Sequence, residues 1–344
     1  MLAVDPVHAC SFSVTVPQPA FAVVDLAVAV LATTSTASAT SAAVAGFVST
    51  HAARSASCGT VTLNEQAWTG STANTYVAKY VLEKYLGCTV KVTDIAEIPV
   101  YQAMAQGKVD AVLEDWQHVA QYKQYGQKQH SVVIEGSNGL TGHIGWFIPR
   151  YLLKKYPEFK TWKGLKGHEK VFASPEAPQG MFLGGDPSYE QKDTQLIQAL
   201  GLNLKHVTVG AETAQVARVK QLIAQKKPVI MYWWTPEFHN AQFDLVEVKL
   251  PPRFKGCQDD GTVKAPLKDF RCAYSSYPLE KVFSSKFAKS GSPAVAVLKR
   301  FKWPSNSDQN LVSSWIAEQH MDPTKAAEKY VKSHMSVINK WLGK

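Results

Sequence analysis

The chain has 344 residues, of which 45% are hydrophobic and 19% charged, and its formal net charge is +9. This composition is typical of a globular protein and excludes a disordered, collagen-like or coiled-coil chain, and the length predicts two domains. No apolar run reaches the roughly 18 residues of a membrane-spanning helix. The basic residues are scattered without an interleaved aromatic stripe, so we expect a solvated surface and no nucleic-acid partner.

Residues 1–57 differ in composition from the rest of the chain. They contain no lysine, one arginine and two acidic residues, and Ala, Ser, Thr and Val dominate. The apolar stretch 20–32, followed by small residues, resembles a secretory signal, although Asp25 interrupts it and no basic segment precedes it. We predict a signal peptide and linker over 1–57 and export to the periplasm or cell surface. The Ser-Ala-Ser-Cys segment at 55–58 leaves a lipid anchor on Cys58 as an open alternative.

The next part of the chain alternates strands with helices. The predicted elements are a strand over 60–63, a helix over 75–86, a strand over 88–92, a helix over 99–106 and a strand over 109–114. Such alternation predicts a parallel sheet with right-handed crossovers.

A second alternating set follows, and the remainder of the chain is expected to be helical. Its predicted elements are a strand over 143–149, a helix over 151–156, a strand over 170–173, a helix over 189–200, a strand over 206–209, a helix over 212–225 and strands over 229–233 and 243–248. The last helix begins with Asp322 as its N-cap and Pro323 in its first turn, and it extends to Trp341.

The two sets predict an α/β protein of two lobes with a cleft between them. The first lobe comprises 58–141 together with 239–344, which includes the helical C-terminal tail, and the second comprises 142–238. Chain crossings near 141–145 and 235–242 form the expected hinge. Ligands of open parallel sheets bind beyond the carboxyl ends of the strands, so the residues there are the candidates for a site.

Four cysteines follow the leader, which allows three disulfide connectivities. Cys58 and Cys88 each begin a predicted strand of one βαβ unit, where parallel neighbours bring the two strand starts together. Cys257 and Cys272 flank a polar loop. We therefore expect the bridges Cys58–Cys88 and Cys257–Cys272, and an oxidising compartment. No Cys-x-x-Cys or His-x-x-x-His spacing supports a metal site.

Aromatic residues follow or open several predicted strands. They are Trp68, Trp116, Trp146, Tyr189 and Trp234. The faces of such rings attract a cation that donates no hydrogen bonds, such as a trimethylammonium group. If these rings converge on the cleft, they form an aromatic cage.

Polar groups near the same positions complete the candidate site. Ser71, His143 and Gly185 are placed to hold a carboxylate at the other end of the ligand, as the N–H groups at helix starts do. Asp115 either offsets the positive charge of a choline-like ligand or caps a turn. His143 and His118 are interpreted as hydrogen-bonding rim or hinge groups.

Four segments resemble the substrate-binding proteins of glycine betaine/proline/choline ABC transporters. They are DAVLEDW (110–116), GHIGWFIP (142–149), GGDPSYE (184–190) and PVIMYWWTPEF (228–238). The similarity extends over 58–344. It implies a two-lobed periplasmic-binding-protein fold of type II, a Venus flytrap, that closes on a quaternary ammonium compound.

The resemblance also implies roles for individual aromatic residues. Trp116 matches the cage tryptophan after the third strand, and Trp234 matches the tryptophan of the family's Tyr-x-Trp-Thr-Pro segment. Tyr189 stands where many members have tryptophan, and Trp68 resembles a residue that the first loop contributes in part of the family. Trp146 either joins the cage or packs under the hinge.

Other classes of protein are less consistent with the sequence. It contains no Gly-x-Ser-x-Gly, P-loop or Rossmann fingerprint, and the adjacent Glu114 and Asp115 diverge from a strand, so we expect neither an enzyme nor a cofactor. The open alternatives are binding of another small cationic or zwitterionic solute, and a ligand-sensing receptor domain. The expected partners are the ligand and the transmembrane subunits of an ABC transporter, with the protein itself a monomer. The sequence does not rank glycine betaine, proline betaine, carnitine and choline.

Overall fold

The structure is a computed structural model that describes residues 58–189, 191–254, 256–257 and 270–344. The predicted signal peptide and linker lie outside these residues. In the described part of the chain, no helix has both the length and the apolar character needed to cross a membrane.

The described strands are β1 (Thr60–Glu65), β2 (Thr89–Asp94), β3 (Ala111–Asp115), β4 (Val132–Pro149), β5 (Met181–Leu183), β6 (Lys205–Val207), β7 (Ile230–Thr235), β8 (Leu245–Glu247) and β9 (Ser276–Ser284). The α-helices are α1 (Thr69–Leu86), α2 (Pro99–Ala105), α3 (Val119–Gln121), α4 (Leu152–Lys155), α5 (Trp162–Leu165), α6 (Asp193–Leu200), α7 (Glu212–Ala224), α8 (Ser285–Ala288), α9 (Pro293–Arg300), α10 (Asn306–Ala317), α11 (Pro323–Ser333) and α12 (Met335–Leu342).

The strands form a mixed sheet in the order β2-β1-β3-β9-β4-β7-β5-β6, with β8 paired to β4. β1 lies parallel between β2 and β3, and β5 lies parallel between β6 and β7. These two parallel groups confirm the strand–helix alternation that the sequence predicts. Between them, β4 and β9 run antiparallel to each other and join the groups.

The two central strands correct the sequence prediction. β4 begins at Val132 rather than at 143, because two irregularities in its pairing with β9 absorb the Gly- and Ser-rich stretch 135–142. The expectation that the chain after the polar loop is entirely helical was wrong, since β9 lies there. Lys281 of β9 is fully buried, and a lysine is not expected in a central strand because burial of its ammonium group is costly. Here the ammonium group donates to the carbonyls of Lys299 (2.5 Å) and Phe301 (2.9 Å), which satisfies it.

Smaller differences concern single elements. The predicted strand 170–173 is a 3₁₀ helix (Glu169–Phe172), and the strand beside it is β5. The predicted helix 189–200 begins only at Asp193, because the side chain of Asp186 accepts from the N–H of Ser188 and sets a turn there. The predicted last helix is two helices, α11 and α12, that meet at His334.

Two large hydrophobic cores lie on either side of the sheet's centre. In the first core, Val77 and Val81 of α1 pack with Tyr330 of α11. The second core contains Phe182 and Trp233, on β5 and β7. We call the parts built around these cores the first and second lobes.

The second core extends beyond the predicted lobe boundary at 239. Phe243, Val248 and Leu250 pack in it, so this stretch lies with the second lobe. Trp68 also packs in the second core, although the chain around it belongs to the first.

Both expected disulfides are present. Cys58–Cys88 joins residues whose Cα atoms are 4.8 Å apart, at the start of the parallel pair β1 and β2. Cys257–Cys272 has a Cα–Cα distance of 6.3 Å. Both distances lie within the range of disulfide geometry.

Candidate functional site

A pocket of about 170 Å³ lies between the two lobes. The loops after β1, β3 and β5 and the carboxyl end of β7 itself contribute to its wall, as expected for ligand sites of parallel sheets. Its aromatic lining residues are Trp68, Trp116, Tyr189, Tyr232, Trp234, Tyr274 and Tyr277. Four of the five aromatic residues that the sequence nominates therefore lie together.

Four pairs of neighbouring rings in this pocket stand nearly at right angles. The planes of Trp68 and Trp116 meet at 88° with centroids 6.3 Å apart, and those of Trp68 and Tyr189 meet at 82° and 5.6 Å. Tyr189 and Trp234 meet at 85° and 6.0 Å, and Trp116 and Tyr277 at 86° and 6.2 Å. Such edge-to-face contacts are favourable between aromatic rings, and they form corners rather than a flat stack.

Hydrogen bonds between the two lobes lie beside these ring pairs. The hydroxyl of Tyr189 in the second lobe donates to the carbonyl of Ala67 in the first (2.8 Å). Glu212, in the first turn of α7, accepts from the N–H (2.8 Å) and the hydroxyl (2.5 Å) of Thr69 at the start of α1. Burial raises the pKa of Glu212 to about 7. The pocket is thus enclosed by polar contacts as well as by rings.

The two tryptophans of the first lobe share one acceptor. The Nε1–H groups of Trp68 (2.7 Å) and Trp116 (3.0 Å) both donate to Oε1 of Glu114, which is almost fully buried on β3. This carboxylate fixes the orientation of both indole rings. Sequence reasoning considered Glu114 only as half of an unlikely catalytic pair, because its contacts with residues far along the chain leave no local pattern.

The remaining lining of the pocket is mainly polar. It includes Glu97, Gln117, His118, Gln121, Lys192, Arg253 and Ser275. Sequence reasoning did not nominate Lys192 or Arg253, whose surrounding sequence carries no motif.

A buried charged cluster underlies one side of this polar lining. His118 contacts Asp115 through Nδ1 (2.7 Å) and Glu97 through Nε2 (3.2 Å). Burial opposes a charged imidazole, but the two carboxylates outweigh it and raise the pKa of His118 well above its usual value. The interaction with His118 outweighs burial at Asp115 as well and lowers the pKa of that carboxyl. Asp115 therefore lies behind His118 rather than in the pocket wall.

The other nominated residues lie outside the pocket lining. Trp146 is fully buried in the second core and donates to Asp193 (2.6 Å). The hydroxyl of Ser71 accepts from the N–H of Gln66 (2.9 Å). His143 contacts Glu247 (2.9 Å) and the hydroxyl of Ser276 (2.8 Å).

Gly185 lies behind two rings of the pocket. Its N–H donates to the side chain of Gln191 (2.8 Å). A Cβ at this position would lie 2.9 Å from the ring of Tyr189 and 3.1 Å from that of Tyr232. The glycine thus permits the close packing of two pocket rings rather than facing the pocket itself.

Two α/β lobes that enclose a pocket of aromatic rings define a two-lobed substrate-binding protein. Residues 59–333 match the OpuAC family, the substrate binding domain of ABC-type glycine betaine transport systems. The chain belongs to this family, which is a family of transport proteins.

Solved structures share the fold. Lactococcal OpuAC, in its closed conformation with glycine betaine, superposes with a TM-score of 0.65 at 20% identity, over 83% of this chain and 99% of that one. A glycine betaine/L-proline-binding protein from Borrelia burgdorferi gives 0.66 at 20% identity, over 82% and 96%. A choline-binding protein in complex with choline gives 0.67 at 19% identity, over 83% and 92%. These similarities confirm the two-lobed fold.

Proposed function

We propose that this protein captures a quaternary ammonium solute of the glycine betaine class between its lobes and delivers it to an ABC transporter. The observation that supports this most directly is the series of perpendicular ring contacts from Tyr277 through Trp116, Trp68 and Tyr189 to Trp234. A trimethylammonium group needs ring faces rather than hydrogen-bond acceptors, since it has no N–H to donate.

The magnitudes agree with this proposal. Each ring contributes about 0.5–2 kcal/mol to the binding of a desolvated cation. Three or four rings together with hydrogen bonds at the other end of the ligand approach the roughly 8 kcal/mol of micromolar affinity.

The polar lining favours a ligand whose other end is a carboxylate. Lys192 and Arg253 both line the pocket, and each carries a positive charge. A betaine presents a carboxylate to them, whereas choline presents a neutral hydroxyl. We therefore propose glycine betaine, or a related betaine, in preference to choline.

The test is calorimetric titration of the purified protein with glycine betaine, choline and glycine. We expect micromolar binding of glycine betaine, weaker binding of choline and none of glycine. A preference for choline would contradict the role of Lys192 and Arg253, and the absence of binding to both methylated compounds would overturn the proposed ligand class.

A pair of variants tests the location of the site. Trp234→Ala removes one wall of the cage and should weaken glycine betaine binding ten- to a hundredfold. Trp162→Ala makes the same change at a tryptophan of the second lobe that does not line the pocket, and it should change the affinity less than threefold. Equal losses in both variants would contradict the location.

Delivery requires membrane partners and a location outside the cytoplasm. We propose the transmembrane subunits of an ABC importer as the partners, and a monomer as the form that docks on them. The two disulfides and the composition of 1–57 support export. The bridge to Cys88 uses the Cys58 thiol that a lipid anchor would also need, so we propose export without that anchor.

A further inference from the structure

Glu114 occupies an unusual position behind the cage. Its side chain leaves β3 on the face that carries Trp116, while Asp115 points to the opposite face and contacts Tyr101 (2.7 Å). Oε1 of Glu114 accepts from the two cage indoles, and Oε2 accepts from Asn74 (2.5 Å) and Gln309 (2.5 Å).

The hydrogen-bond directions select the ionised form of this carboxyl. An indole N–H can only donate, so Trp303, which contacts Oδ1 of Asn74, fixes the orientation of that amide. The NH₂ group of Asn74 then faces Glu114. The Nε2 group of Gln309 also reaches the carbonyl of Gly70 (3.2 Å), which fixes it as a donor too. Both carboxyl oxygens therefore face donors only, and a proton on either oxygen would face a donor instead of an acceptor.

These four donors are neutral groups. Among the described residues, no lysine, arginine or histidine contacts the Glu114 carboxylate. Burial raises its pKa, and the four hydrogen bonds oppose that shift. A buried carboxylate without a cationic partner is costly, and a cation bound nearby offsets part of that cost.

We propose that Glu114 is the residue that makes this cage select a cation: it positions Trp68 and Trp116 through their N–H groups and supplies the negative charge that the ligand's ammonium balances. Both effects act in the same direction. A hydrogen bond to a carboxylate polarises the indole and makes its face more negative, and the carboxylate attracts the cation directly across the thickness of the cage wall. This inference rests on the proposed function, because it concerns the same pocket.

The test separates charge from shape with pairs of ligands. Glycine betaine is compared with 3,3-dimethylbutanoate, in which carbon replaces the ammonium nitrogen, and choline with 3,3-dimethylbutanol. Dissociation constants are measured by tryptophan fluorescence or calorimetry for the wild type and for Glu114→Gln. We expect the affinity for the two ammonium compounds to fall at least tenfold (about 1.4 kcal/mol) and that for their two carbon isosteres, which lack the ammonium charge, to change less than threefold. An equal fall for the ammonium compounds and their isosteres would overturn the charge role. Unchanged affinity for both would overturn it too, since the amide oxygen of glutamine can still accept from the two indoles and only the charge is removed.

Two further variants serve as controls for the loss of a buried carboxylate and for a change of side-chain length. Glu169→Gln removes another buried carboxylate, in the second core's surroundings, and should leave all four affinities unchanged. Glu114→Asp retains the charge but is too short to reach both indoles, so both kinds of ligand should bind more weakly while their affinity ratio stays within threefold of the wild type. If Glu114→Gln does not fold, the test rests on Glu114→Asp. Loss of the preference for the ammonium compounds over their isosteres in that variant would overturn the inference, because the charge is still present.

Failure of this inference is distinguishable from failure of the proposed function. A wild-type protein that binds no methylated ammonium refutes the ligand class. A wild type that binds glycine betaine, with a Glu114→Gln variant that retains its preference for the cation over the isostere, refutes only the role of Glu114.

Discussion

Each lobe contains a buried carboxylate that accepts a hydrogen bond from an indole, and the two carboxylates serve different purposes. Glu114 in the first lobe accepts from Trp68 and Trp116, which line the pocket. Asp193 in the second lobe accepts from Trp146, which is fully buried in the core, and from Tyr274 (2.8 Å).

The difference lies in what surrounds each carboxylate. Four donors satisfy both oxygens of Glu114. At Asp193, Oδ1 accepts both hydrogen bonds, and Oδ2 has no hydrogen-bond partner among the described residues. A tryptophan paired with a buried acid therefore does not by itself identify a ligand site, because the same pairing also holds a core residue in place.

The largest expected contrast comes from removing one indole of each kind. Trp116→Ala should weaken glycine betaine binding about a hundredfold with a modest loss of stability, since this side chain is only partly buried. Trp146→Ala should reduce the free energy of unfolding by about 3–5 kcal/mol, because it empties a fully buried position. At temperatures below its unfolding transition, the Trp146→Ala variant should bind glycine betaine with an affinity within threefold of the wild type. A large affinity loss in the folded Trp146 variant would place that residue in the site after all.

A second contrast uses pH. Burial raises the pKa of Asp193 from 3.8 to about 6. The folded protein binds this proton more tightly than the unfolded chain does, so the associated stability is complete below about pH 4 and is lost as the pH rises through 6. Asp193→Asn cannot titrate, and its stability relative to the wild type should rise by about 1–3 kcal/mol between pH 4 and 7. Denaturant unfolding of both proteins across this range is the measurement, and parallel stability curves would contradict the prediction.

The smallest contrast adds one methyl group to each lobe. Gly185→Ala forces a Cβ against Tyr189 and Tyr232 in the second lobe and should weaken binding about tenfold. Gly70 lies at the start of α1, where alanine is favoured, and a Cβ there would lie 3.1 Å from the terminal amide of Gln309. A shift of a few tenths of an ångström in that amide accommodates the methyl group, so Gly70→Ala should change the affinity less than threefold. A larger affinity loss in Gly70→Ala than in Gly185→Ala would contradict this order. It would show that binding depends more on the Gln309 contact with Glu114 than on the positions of Tyr189 and Tyr232.

The convergence of three tryptophans on one pocket follows from simple topology. Parallel strands place their carboxyl ends on one edge, so Trp68 and Trp116, just after β1 and β3, had to lie near each other. Trp234 comes from the other parallel group: β7 runs opposite to β3 and ends at the middle of β4, where the two lobes meet. Trp146, which the sequence places near the start of a predicted strand, lies in the core instead.

Other parts of the site depend on contacts that no local pattern reveals. Tyr277 belongs to β9. This strand contains Pro278 and the buried Lys281, two residue types that are unusual in a central strand, so its sequence does not predict a strand. Three of the four partners of Glu114 lie 40 to 195 positions away along the chain. Periodicity and spacing describe neighbours in sequence, so they could not identify either residue.

The long strand β4 limits where the length of this chain can vary in evolution. Its first part pairs with β9 through two irregularities between Ile134 and Thr141, whereas from His143 onward it pairs regularly with β7 and β8. An inserted or deleted residue in the regular part would reverse every following side chain between the two faces of the sheet. The irregular part already contains residues that match no partner one to one, so insertions and deletions should accumulate there among homologues and be absent from 143–149.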